Sequence, residues 1–215
     1  MKIKNKYCLN LKSTFKILIV FVFLTIIGTV LHELGHYIVA KYYDFKPSLH
    51  YSHVSFHNSI SMTDIENNTI LKKRYLLIFI AGPIQTITTA IAGLILLFFR
   101  KNRRKEKFTL LDWVGVFLSL FWLRQSFNLM ISVLRYIVTG NLKSNGDEVI
   151  IANNLNLPPL SLDILLGAAG FVVLYFVTFK VIPKNIRKNF IVGGFIGGVI
   201  GFIIWFYFLG KVIFP

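Results

Sequence analysis

Five apolar stretches, at about 15–40, 75–99, 110–138, 160–182 and 190–213, constrain this chain more than any other feature of it. At 1.5 Å per residue each is long enough to cross a hydrocarbon layer of about 30 Å. Backbone polar groups in lipid must satisfy one another, so apolar segments of this length are helices. Only 15% of the residues are charged, against about 25% in an ordinary soluble domain. The expected fold is an all-α polytopic membrane protein with about five transmembrane helices. No composition break marks a second unit, so residues 1–215 read as one membrane-embedded domain. Residues 17–27 after a basic start imitate a signal peptide. No small-residue cleavage pattern follows, however, and the apolar stretch runs on through Val39, so a retained first span is expected.

The net charge of +15 raises the question of nucleic acid. The basic residues, however, collect in short segments beside the apolar runs, as topology signals do. The tract at 100–107 has no aromatic side chains interleaved with its charges, so no nucleic-acid partner is expected. With the N-terminus inside, fifteen Lys and Arg fall on the cytoplasmic side and seven outside. A cell-membrane protein with a cytoplasmic N-terminus is therefore expected, although Lys72, Lys73 and Arg74 run against the bias. Cys8 is the single cysteine, so no disulfide forms within the chain.

The first span carries His32-Glu33-Leu34-Gly35-His36. On a helix, residues four apart lie about 40° from one another, so both imidazoles reach one ion. Glu33 stands about 100° from His32, beside the ion, where a general base for water belongs. Zn2+ is the natural ion, because it takes neutral imidazole and carboxylate in tetrahedral geometry. Ionisable groups inside a span are costly, so two histidines and a glutamate there mark a functional site more readily than a satisfied core. Zinc needs a third ligand, and the candidates are Asp44, His50, His53, His57, Asp64, Glu66, Asp147 and Glu148. The third span returns the chain to the side on which the first one ends, which favours Asp147. The three loop histidines read as a polar surface hairpin, since a strand does not converge spacings of three and four on one ion.

Three further features stand out. Residues 46–64 alternate roughly between apolar and polar and read as a short β-hairpin at the membrane surface, with a turn at His57-Asn58-Ser59. Arg124, Asn128 and Arg135 share one stripe of the third span. Asn128 there is an expected catalytic residue, donating to an oxyanion or the substrate backbone, and Arg124 stabilises charge on the substrate. The competing reading of this stripe is a wet cavity or a pairing with a carboxylate. The glycines 193, 194, 197, 198 and 201 lie near one face of the last span and read as a close helix–helix contact.

The histidine motif in an early span, followed by an acid in a later one, resembles the site-2 protease family of intramembrane zinc metalloproteases. The resemblance runs from the first span to about Asp147. It implies His32, His36 and Asp147 as zinc ligands and Glu33 as catalytic acid–base. Ala81-Gly82-Pro83, at the start of the second span, looks like the family's Gly-Pro element, with Gln85 near where an Asn is often found. Gly82 and Pro83 are thereby expected to face substrate. The 46–64 hairpin is similar in position to one that captures substrate as an added strand. The chain departs from the family in two places. Gly146-Asp147-Glu148 stands where Asp is usually followed by Gly, and Asn128 lies about 19 residues upstream rather than close by. The expected activity is zinc-dependent hydrolysis of peptide bonds in membrane-associated substrates, in or beside the bilayer. The alternative is a non-catalytic membrane protein with a structural or sensing metal site.

Overall fold

The computed structural model describes residues 9–56, 62–102, 108–140 and 146–215. Among them are five helices long and apolar enough to cross a membrane: Leu11–Tyr42, Thr69–Phe99, Leu110–Thr139, Ser161–Val181 and Arg187–Ile213. The chain is an all-α polytopic membrane protein, with one small two-stranded sheet among the described residues.

Helix α1 (Leu11–Tyr42) begins at Asn10, whose side-chain oxygen accepts from the Ser13 amide at 3.1 Å. Strands β1 (Pro47–Leu49) and β2 (Val54–Phe56) follow, antiparallel, with Pro47 opposite Phe56 and Leu49 opposite Val54. That register leaves residues 50–53 as the connection, closed by the His50 amide donating to the His53 carbonyl at 2.9 Å. The hairpin therefore reverses at 50–53; the turn expected at 57–59 falls outside the described residues. Phe45 and Phe56 at its base pack with Ala40 and Ile78, which ties the hairpin to the helices that carry the site.

After α2 (Met62–Asn67), helix α3 (Thr69–Phe99) starts six residues earlier than the apolar pattern implies. Asn68 caps it, and Lys72, Lys73 and Arg74 ride on its first turns, since Lys and Arg are good helix formers whose charged ends reach water. Ala81-Gly82-Pro83 consequently lies in the helix interior rather than at its start. The third span is interrupted: α4 (Leu110–Ser119), a 3₁₀ turn (Leu120–Trp122), then α5 (Leu123–Thr139). The short helix α6 (Asp147–Asn154) precedes α7 (Ser161–Phe176), which ends in a π-helical turn, and α8 (Arg187–Ile203), which runs on through a π-helical segment to Ile213.

The polarity of the bundle is that of a protein in lipid. Phe98 and Phe195 are 72% and 73% exposed, whereas Thr86, Gln125, Glu148 and Asp163 are buried. Lipid supplies no hydrophobic drive between helices, so close packing must hold them together. The glycines of α8 supply it against α1. A Cβ at Gly193 would lie 2.7 Å from the Thr14 carbonyl oxygen, and one at Gly201 2.9 Å from that of Val22. Gly198 faces open space. The helix bearing the histidines is thus held from behind by α8 and from the side by α3.

Candidate metal centre

His32, Glu33 and His36 are buried in the C-terminal half of α1. Gly35 between them lets α3 approach, since a Cβ there would stand 2.8 Å from the Ala81 carbonyl oxygen. Across this contact α3 holds both imidazoles. His36 Nδ1 donates to the Ile78 carbonyl at 2.7 Å. Thr86 donates its hydroxyl hydrogen to the Gly82 carbonyl at 3.0 Å, so its oxygen accepts from His32 Nδ1 at 2.9 Å. Each Nδ1 therefore carries the proton of the neutral ring, and each Nε2 presents a lone pair.

The two Nε2 atoms stand 3.1 Å apart. Asp147, at the first turn of α6, brings Oδ2 to 2.9 Å from His32 Nε2 and 3.2 Å from His36 Nε2. Two lone pairs and an anion thus converge on one point. One proton can serve one pair of these atoms; a metal ion serves all three. The spacing fits zinc, because ligands at 2.0–2.1 Å in a tetrahedron lie about 3.3 Å apart. Among the described residues this is the one group of three or more such side chains whose ligand atoms gather closely. Asp44, His50, His53 and Asp64 do not join it. His57 and the side chain of Glu66 lie outside the described residues. His50 and His53 instead stack on each other at 4.6 Å.

Gly82 is the closest approach of α3 to this point. A Cβ on it would overlap His36 Nε2 and lie 2.6 Å from His32 Nε2, which is where an ion shared by the two rings would sit. Pro83 is buried inside the helix and has no amide hydrogen to give the preceding turn. Arg124 and Asn128 both turn toward acids. Arg124 Nη2 donates to Glu33 Oε1 at 3.1 Å, and Asn128 Nδ2 makes a long contact of 3.4 Å with Glu148 Oε2. In the structure Arg124 and Asn128 of the polar stripe thus each face a carboxylate. Burial, with the Asp147 charge beside it, pushes the Glu148 carboxyl up to about 7.

Thr86 and the Ile78 carbonyl escaped the reading of the sequence. Thr86 had a usable signal, as a polar residue four after Gly82 on the same face of an apolar span. A backbone carbonyl has none. Comparison with known proteins adds nothing to the geometry: no family model, no curated protein and no solved structure matches the chain.

Proposed function

We propose that this chain is a zinc-dependent membrane endopeptidase, resembling the site-2 protease family, that cuts membrane-associated polypeptides within or beside the bilayer. The observation that carries the proposal is the convergence of His32 Nε2, His36 Nε2 and Asp147 Oδ2 at 2.9–3.2 Å in the interior of a membrane bundle. His32, His36 and Asp147 would hold the ion. Zinc, when bound, polarises a carbonyl and lowers the pKa of water toward neutrality.

The chain's own residues supply the rest. Glu33 takes a proton as water adds to the substrate carbonyl carbon, and returns it to the amide nitrogen as the C–N bond breaks. The products are a carboxylate and an amine, so atoms and charge balance. The missing Cβ of Gly82 leaves room for the ion against α3. The hairpin at 47–56 provides strand edges on which an unwound substrate can align. The excess of Lys and Arg on one side supports a cytoplasmic N-terminus in a cell membrane.

The test is Glu33→Gln in cells and in purified protein. Zinc content stays at the wild-type level, and one or more membrane proteins accumulate uncleaved. Loss of zinc on this change alone overturns the assignment of Glu33. Full metal with no accumulating protein supports a structural or sensing metal site instead.

A further inference from the structure

We infer that Arg124 is a positioning residue, holding the Glu33 carboxylate in the orientation from which it takes a proton beside the metal position. This rests on the hydrolytic reading of the site. Residues on either side of Arg124 are fastened to α7. Trp122 Nε1 donates to the Leu166 carbonyl at 3.1 Å, and Ser126 Oγ donates to the Gly167 carbonyl at 2.8 Å. The fit there has no slack: a Cβ at Gly167 would stand 2.7 Å from Leu129 Cβ, and one at Gly170 2.8 Å from the Trp122 carbonyl oxygen. One face of α5 is therefore locked by backbone contacts. Two residues before Ser126, about 200° around the helix, Arg124 projects away from that face and reaches α1.

Among the described residues its carboxylate contact is with Glu33 Oε1 at 3.1 Å, where Glu33 is 4% exposed. Arg124 Nε is buried without a hydrogen-bond partner among the described residues. The α1 backbone fixes where the Glu33 side chain starts, but its torsions leave the carboxylate free to turn. The guanidinium removes that freedom by holding one oxygen, and the other is left for water. A cation held in place by one helix so as to orient an acid on another is what a reacting carboxylate requires. A pair present only for packing would need no such anchoring.

The experiment compares Arg124→Met, Arg124→Lys and Glu33→Gln in the full chain in detergent, loaded with Co2+. The visible spectrum of Co2+ reports charge and hydrogen bonding around the metal position. All three variants bind cobalt at the wild-type ratio. Arg124→Met reproduces the spectral change of Glu33→Gln, and Arg124→Lys falls between it and wild type. On dye-labelled casein, kcat of Arg124→Met falls about 100-fold, as for a misplaced reacting group, while KM stays within about twofold. An Arg124→Met protein with wild-type spectrum and kcat overturns the inference. If wild type cleaves nothing while the two variants still share their spectral change, the hydrolytic reading fails and the orientation of Glu33 by Arg124 stands. Should Arg124→Met not fold, Arg124→Gln carries the same expectation and the same refutation.

Discussion

Gly82→Ala is the smallest change that tests the metal centre directly. The added methyl would overlap His36 Nε2 and stand 2.6 Å from His32 Nε2, about 0.9 Å short of an ordinary contact of about 3.5 Å. Neither ring can retreat on its own, because His36 Nδ1 is held at 2.7 Å by Ile78 and His32 Nδ1 at 2.9 Å by Thr86. Nor can α3 retreat harmlessly. Ile78, Gly82 and Thr86 are all on that helix, so a shift of about 1 Å stretches both hydrogen bonds beyond the length at which they hold. Losing an outer partner of a metal-ligating histidine costs about 10–100-fold in metal affinity. Disturbing both rings at once therefore weakens zinc at least about 100-fold, which is about 2.7 kcal/mol. The intrinsic helix preference of Ala over Gly, about 1 kcal/mol, works the other way on folding, so the variant stays folded. Zinc affinity is read by competition with a chelator in detergent, with Gly198→Ala as the neutral control. A Gly82→Ala protein that binds zinc within tenfold of wild type would refute the geometry proposed for the centre.

Thr86→Val removes the acceptor of His32 Nδ1 and leaves the volume nearly unchanged; zinc affinity falls about 10–100-fold by the same competition assay, with the fold intact. Gly197→Leu drives a side chain into the backbone of α1 around Leu18, and costs about 1–3 kcal/mol as an overpacked contact, seen as a lower melting temperature in detergent. Gly198→Leu, by contrast, stays within about 0.5 kcal/mol. Chelation lowers the melting temperature of wild type: free zinc at about a thousandfold over its dissociation constant contributes about 4 kcal/mol, roughly 10 °C for a chain of this size. In Asp147→Ala the chelator shifts it little, and equal shifts in the two proteins would remove Asp147 from the ligand set.

Most of the architecture was legible because the bilayer allows so few solutions. A run such as 190–213 can only be a helix, and its glycines can only be a contact, although which helix they meet is a tertiary fact. His32 and His36 were legible because α-helical spacing alone brings them together. Asp147 was reached by topology, and α6 delivers it from 115 residues away in sequence. The interruption at Leu120–Trp122 was not legible. Leu, Phe and Trp there continue the apolar run, and only packing against α3 and α7 selects the tighter turn. The reversal of the hairpin at 50–53 was not legible for a related reason. His50-Tyr51-Ser52-His53 holds no Gly, Asn or Asp, whereas His57-Asn58-Ser59 carries the residues that usually mark a reversal.

Two carboxylates, Asp112 buried and Asp147 half-buried, separate scaffold from candidate centre by how completely each is satisfied. Asp112 accepts from Arg100 Nε at 3.0 Å and from the Thr109 amide and hydroxyl, each at 2.8 Å, within a capping box at the start of α4. Its charge is matched and its oxygens are occupied, so it closes the α3–α4 connection and has nothing left to offer a ligand. Asp147 faces two lone pairs and has no such company. A carboxylate inside a membrane bundle is stable only when it is paired or neutral, and under the proposed reading a cation between Asp147, His32 and His36 would complete the pairing of this half-buried acid. The bundle thus saturates Asp112 with protein partners, whereas under the proposed reading Asp147 takes a cation as its partner, and that difference is what makes Asp147 and not Asp112 the candidate ligand.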